Sequence, residues 1–181
     1  MQITFIALVD DQPGVLNQVA SLVRRRNYNI ESLTVGHTHQ PGTSRMTLVI
    51  DAEPAAAPRI EANLRKIFHV QRVENLSAAP AVYRELALLK ISATLEQRSQ
   101  IVQLADVFRA RVLDVAAESL IIEATGTEDK IDSLLDALRP FGVTEMARTG
   151  CLAMTRGSGL GPTTETTTVV ADADENIAYS V

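Results

Sequence analysis

The sequence predicts an α+β chain built from two tandem ferredoxin-like βαββαβ units, and three observations carry that reading. Strand and helix signals follow one another in the order β-α-β-β-α-β. A Pro-Gly turn joins the second and third strands of the first unit, which makes them a hairpin. After a small-residue stretch at 77–82 (SAAPAV) the same order of elements returns, without a residue-level repeat. The chain therefore divides into a first domain at 1–77, a linker at 78–83, a second domain at 84–157 and a tail at 158–181.

Each element has its own signal. Residues 2–9 (QITFIALV) are β-rich and apolar on both parities, as expected of a central strand covered on both faces. Asp11-Gln12-Pro13-Gly14 has a turn composition: proline fixes φ and glycine can take it positive. Val15, Leu16, Val19, Ala20, Leu22 and Val23 then recur at helical spacing, predicting a helix from about 14 to 26 with one core face. Arg24, Arg25 and Arg26 fall in its last turn, where cations suit the helix dipole, and Asn27 tolerates a left-handed C-cap. Residues 28–38 read as a second strand and 44–51 as a third, with Met46, Leu48 and Ile50 on one side. Pro54 and Pro58 mark a helix entry. Ile60, Leu64 and Ile67 carry that helix to about residue 68, and 70–76 is a fourth strand.

In the second unit, residues 83–94 form an apolar strand, and Ile101, Leu104, Ala105 and Phe108 a helical stripe. Residues 111–116 and 119–125 are two strands. Gly126-Thr127 caps a helix whose stripe is Ile131, Leu134, Leu135 and Leu138. Pro140 and Gly142 end it before a last strand at 143–147. Residues 149–156 read equally as a short extension or as the start of the tail. The tail, rich in Gly, Pro and Thr and acidic at its end, is expected to be disordered.

Composition narrows the function. Hydrophobic residues are 46% and aromatics 4%, so the core is aliphatic. The net charge of -5 argues against a nucleic-acid surface. One cysteine, Cys151, excludes an internal disulfide framework and fits a reducing cytosol. Residues 1–9 lack the basic start and small-residue cleavage site of a signal peptide. No run reaches the roughly 18 apolar residues of a membrane span. A cytoplasmic protein is expected.

Catalysis finds little support. No nucleophile elbow, phosphate loop or dinucleotide fingerprint follows a strand. Gly157-Ser158-Gly159-Leu160-Gly161 resembles a phosphate loop in composition alone and fits a linker better. His37 and His39 share a strand face, but a structural zinc site needs four ligands, and His69 and Cys151 stand at no metal spacing to them. Asp10 and Asp11 are explained by a turn and helix start, and Arg24–Arg26, without interleaved aromatics, by a solvated helix end.

The loop before the first helix is the sharper candidate. The free N–H groups of a helix's first turn carry partial positive charge and favour a carboxylate by about 0.3–1 kcal/mol. A glycine lets the backbone come close to such a ligand, and Gly14 has no counterpart at 95–99 (LEQRS) in the second unit. Asn29, through its amide oxygen, and Asp11 could accept from an amino acid's ammonium group. Val15, Leu16 and Ile30 could wall its side chain.

Asp11-x-Pro13-Gly14-x-Leu16 after a first strand resembles an ACT domain, a regulatory amino-acid-binding module. Residues 26–35 (RNYNIESLTV) and Ser44-Arg45-Met46-Thr47 extend the resemblance to the regulatory small subunit of acetolactate synthase (acetohydroxyacid synthase). So do 64–73 (LRKIFHVQRV), 84–90, Phe108-Arg109-Ala110, Ala147-Arg148-Thr149-Gly150 and Thr155-Arg156-Gly157. The resemblance covers about 1–157. It implies a non-catalytic subunit that stimulates a large subunit and confers feedback inhibition by branched-chain amino acids, usually valine. Thiamine diphosphate, Mg2+ and FAD are expected on that large subunit and no cofactor on this chain. It also implies a homodimer through the ACT domains, with valine held by Asp11, Gly14, Val15 and Leu16 of one subunit and Asn29 and Ile30 of the other. Some relatives carry Asn where this chain has Asp11. A second carboxylate beside the ligand's would repel it, so Asp11 is read as facing the ammonium group or solvent. An amino-acid sensor acting on a different partner is the alternative reading.

Overall fold

The computed structural model describes residues 1–157. The expected disorder of the tail, and most of the glycine cluster at 157–161, lie outside the described residues.

The first unit holds β1 (Gln2–Asp10), α1 (Val15–Arg25), β2 (Asn29–His37), β3 (Thr43–Asp51), a 3-10 turn (Pro54–Ala56), α2 (Ala57–Leu64) and β4 (Val70–Asn75). Its antiparallel sheet runs in the order β2-β3-β1-β4. The second holds β5 (Ala81–Ser92), α3 (Arg98–Val107), β6 (Arg111–Val115), β7 (Ser119–Gly126), α4 (Glu128–Leu138) and β8 (Val143–Arg148). Its order, β6-β7-β5-β8, is the same path, so both units have the expected ferredoxin-like topology. Each first strand lies inside its sheet, which is why residues 2–9 are apolar on both parities.

Both cores follow the spacing of the sequence. Phe5, Ala7 and Val9 of β1 and Met46, Leu48 and Ile50 of β3 face Val15, Val19 and Val23 of α1 and Ile60 and Leu64 of α2. Ala87, Leu89 and Ile91 of β5 and Leu120 and Ile122 of β7 face Ile101 of α3 and Ile131, Leu134 and Leu138 of α4. Each such valine, leucine, isoleucine, methionine or phenylalanine side chain, fully buried, stabilises the fold by about 1.5–3 kcal/mol.

Three boundaries and one cap contact differ from expectation. The second helix ends at Leu64 rather than near residue 68, because the chain turns through Ile67 N–H to Leu64 O, leaving Phe68 91% exposed. The hydroxyl of Thr127 makes no capping hydrogen bond, although Thr127 is the N-cap of α4. His39 lies beyond the end of β2, in the hairpin turn, so it does not share a strand face with His37. Strand β5 begins at Ala81, inside the stretch read as a linker, because a further strand pairs with its start.

That further strand, β9 (Leu152–Thr155), settles the ambiguous stretch after β8. It pairs with residues 81–84 of β5 as a two-stranded ribbon, Val82 opposite Met154 and Tyr83 opposite Ala153. The ribbon lies on the helix-free face of the first sheet, where Ile6, Leu76 and Ala153 form a small buried cluster with Tyr83 and Cys151 packed against it. Among the described residues no helix is long and apolar enough to cross a membrane.

Candidate functional site

The loop between β1 and α1 is held from both sides. Asp10 N–H donates to His69 O at 2.9 Å, and Asp11 N–H donates to Gly42 O at 2.9 Å. The Asp10 carboxylate accepts from Gln71 Nε2 at 2.8 Å and lies 3.0 Å from His69 Nδ1. The Gln71 hydrogen bond, then that of His69, holds this carboxyl below its ordinary pKa. The Asp11 carboxylate accepts from Ser44 Oγ at 3.1 Å and stands 3.3 Å from His37 Nδ1. These contacts anchor the loop to β4 and to the end of the β2–β3 hairpin. They hold Asp10 against β4 and Asp11 against the hairpin end.

Gly14 follows as the N-cap of α1, left-handed at φ 88°, and no side chain caps the turn. A Cβ placed on Gly14 would meet nothing within 4 Å. The space beside Gly14 is open and the first turn of α1 carries no side-chain cap, an arrangement suited to an anion. The Val15 side chain is 2% exposed and belongs to the core, so what it offers a ligand is backbone. Leu16 is 44% exposed and lies off the core face that the helical spacing assigned to it. Leu16 and Ala20, one turn apart, make a short apolar stripe leading away from the loop.

That stripe ends at a hollow of about 430 Å³ lined by Ala20, Val23, Arg24, Asn27, Tyr28, Asn29 and Ile30. Asn27 takes the left-handed conformation, φ 58°, and turns the chain from α1 into β2. The side chain of Asn29 is exposed; its amide nitrogen donates to Glu31 Oε1, which leaves the amide oxygen as an acceptor. Ile30 packs against the first core and pairs with Ile50.

One chain does not bring these residues together. Asp11, Gly14, Val15 and Leu16 stand at the start of α1, Asn29 and Ile30 beyond its end. The helix has 11 residues, about 16 Å at 1.5 Å per residue. Of the arginines after Val23, Arg26 reaches Asn63 Oδ1 at 3.4 Å, and Arg24 lines the hollow. Among the described residues no group of three His, Cys, Asp or Glu side chains could hold a metal ion.

The second unit has the equivalent loop in a closed form. Gln97 Oε1 accepts from Thr94 N–H at 3.2 Å and from Thr94 Oγ1 at 3.1 Å. Thr94 O accepts the N–H of Gln97 and of Arg98. The loop thus satisfies itself, much as a capping box does. Two ion pairs of this unit tie the end of β8 to β5 and to the first half of α4. Buried Glu85 pairs with Arg148 Nε, and Arg148 Nη1 meets Asp132 at 2.9 Å. Burial works against the Arg148 charge, but the hydrogen bonds and charges of Glu85 and Asp132 outweigh it and raise its pKa.

Sequence reasoning gave none of the residues that seat the ribbon that role. Cys151 N–H donates to Ser32 Oγ at 2.8 Å, and Thr34 Oγ1 donates to Cys151 O at 3.1 Å. Arg45 Nη2 donates to Ala153 O at 2.7 Å. Burial, reinforced by the charges of Glu85 and Glu128, pushes the Cys151 thiol up, so it packs as a neutral group. The alternation of Leu152, Ala153 and Met154 was the signal available, too short to outweigh the adjoining tail composition.

Comparison with known proteins gives a consistent result. The family model described as "Small subunit of acetolactate synthase" matches residues 84–157, and the one described as "AHAS small subunit-like ACT domain" matches residues 5–72. The chain is 44% identical over 159 residues to the acetolactate synthase small subunit of Mycolicibacterium smegmatis, covering 87% of this chain and 94% of that one. It is 40% identical over 149 residues to that of Aquifex aeolicus, covering 82% and 78%. The crystal structure of the acetolactate synthase small subunit from Thermotoga maritima superposes with a TM-score of 0.81 at 35% identity, covering 87% of this chain and 98% of that chain.

Proposed function

The chain belongs to the acetolactate synthase small-subunit family, and from that premise we propose that it regulates a catalytic large subunit without itself performing catalysis. In this reading it stimulates that subunit and makes it subject to feedback inhibition by valine or another branched-chain amino acid. Thiamine diphosphate, Mg2+ and FAD would all belong to the large subunit.

The observation that carries the effector reading is the uncapped, left-handed turn at Gly14, open to space. The N–H groups of the first turn would take the amino acid's carboxylate. Asn29 Oδ1 would accept from its ammonium group, and Leu16 and Ile30 would enclose the side chain. Since α1 separates these groups by about 16 Å, the site is completed by a second copy. Two features support such a dimer. Strand β2 is an edge of its sheet with one side unpaired among the described residues, which makes it a template for pairing. The stripe of Leu16 and Ala20 presents apolar surface beside it. The hollow next to Asn29 would receive the partner's Gly14 loop. Each helix would then join two effector sites, so ligand occupancy would bias one packing of the dimer. The large subunit responds only if it favours a different packing.

A hydrophobic pocket separates side chains differing by one methylene by about 1–3 kcal/mol, so leucine and isoleucine should act more weakly than valine. The test is acetolactate formation by a large subunit mixed with this chain, with and without valine, using wild type and Gly14→Asp. Stimulation by both with valine inhibition of the wild type alone is expected. Full valine sensitivity in Gly14→Asp overturns this location, and absence of stimulation by wild type overturns the regulatory reading and favours a sensor acting on another partner.

A further inference from the structure

We propose that the ribbon of β9 and the start of β5 is the element that carries the state of the effector site to the second unit. This inference rests on the effector reading above. The ribbon is covalently continuous with the second unit, since β5 is also the central strand of that sheet and β9 follows β8 directly. Yet it is seated on the first unit, and two of its polar contacts fall on β2, the strand that begins with Asn29 and Ile30.

The connection along β2 is short. Side chains of a strand alternate between faces. Ile30 faces the helices, and a bulge at Glu31 shifts the register between Ile30 and Ser32. Ser32 and Thr34 then point to the helix-free face and grip the backbone of Cys151. The amide of Asn29 is already tied to Glu31, the bulge residue. An effector that engages Asn29 therefore acts on a side chain three residues from the ribbon's seat, across the point in the strand where its register with β3 shifts.

The seat is tightly fitted. Gly150 has φ +79°, and a Cβ there would stand 2.6 Å from Ser32 Oγ. Burial pulls the Arg45 guanidinium below its ordinary pKa, with Glu74 opposing, so the charge that grips Ala153 O is partly desolvated. Beside the seat lies a cavity of about 720 Å³ whose walls include Glu31, Ser32, Tyr83, Glu85, Arg148 and Gly150. It gives the bulge and the ribbon room for a second arrangement. It also puts the Glu85–Arg148 pair of the second unit on the same wall as the ribbon's seat. A two-state element touched by both units is what coupling between them requires.

The experiment uses the full chain with its large subunit and two variants outside the effector site, Gly150→Ala and Arg45→Met. Arg45→Met removes one hydrogen bond without adding volume at the Ser32 contact, and thermal melting identifies whether either variant is folded. Valine binding to the small subunit is read by calorimetry, and valine inhibition by the activity of the reconstituted holoenzyme. Binding within about threefold of wild type is expected, with the valine concentration for half-inhibition raised about tenfold or more, a size usual for allosteric coupling. Unchanged inhibition in folded variants overturns the inference. So does a loss of valine binding parallel to the loss of inhibition, since the ribbon would then only support the site. If wild type binds no valine, the effector reading fails, in a measurement separate from the inhibition assay, and the inference falls with it.

Discussion

The two units share one topology and differ in two places. The loop from first strand to first helix is open in the first unit, with a left-handed Gly14 and no side-chain cap. In the second unit it is closed on itself by Thr94 and Gln97. The helix-free face of the first sheet is covered by the ribbon, whereas the buried part of the second sheet is its helix-facing side. A βαββαβ fold thus sets neither ligand binding nor regulation. The two units differ in the backbone of that loop, left-handed at Gly14 in the first alone, and in which face is tied to a neighbour.

The comparison can be broken at several points, the largest effect first. Arg148→Met strands the buried Glu85 carboxylate and should cost the second unit about 3 kcal/mol, the low end for a broken buried pair because Arg148 is partly exposed. Thermal unfolding checks this, and valine binding by the first unit should remain. Gly14→Asp should weaken valine about 100-fold, roughly 2.7 kcal/mol, in calorimetry on the small subunit. Gly14→Ala meets no atom and should lose only about 1–2 kcal/mol of stability to its positive φ. Gln97→Ala, in the closed loop, should cost about 0.5–1.5 kcal/mol of stability and leave the valine response untouched.

The smallest effect concerns pH. The folded-state pKa of Asp10 is depressed below its ordinary 3.8 by Gln71 and then His69. Its contribution is therefore complete above pH 3.8 and is lost as the pH falls through the folded value. Asp10→Asn should flatten the stability-pH curve in that acidic window, because the contribution that wild type loses there is then already missing at neutral pH. A curve identical to wild type would show that the Asp10 contacts do not persist in solution.

Much of the fold was legible because its signals are local. The spacing of Val15, Val19 and Val23, the Pro41-Gly42 turn and the Asn27 C-cap each act over a few residues. Gly14 was legible for the same reason, its positive φ being a property of the loop. Leu16 was misassigned to the core face because helical spacing gives a stripe but not which neighbour covers each edge of it. The end of α2 was misplaced because Ile67 reaches the core from a turn, which periodicity reads as one more helical position.

By itself, the sequence determined the order of elements, the two cores and the single glycine loop, because backbone preference and apolar spacing are written within a few residues of where they act. Tertiary structure alone decided that 149–155 returns to cover the other unit and that Ser32, Thr34 and Arg45 hold it. These are contacts between residues as much as 119 positions apart. Their physics is hydrogen bonding and packing between surfaces, to which local spacing gives no sign.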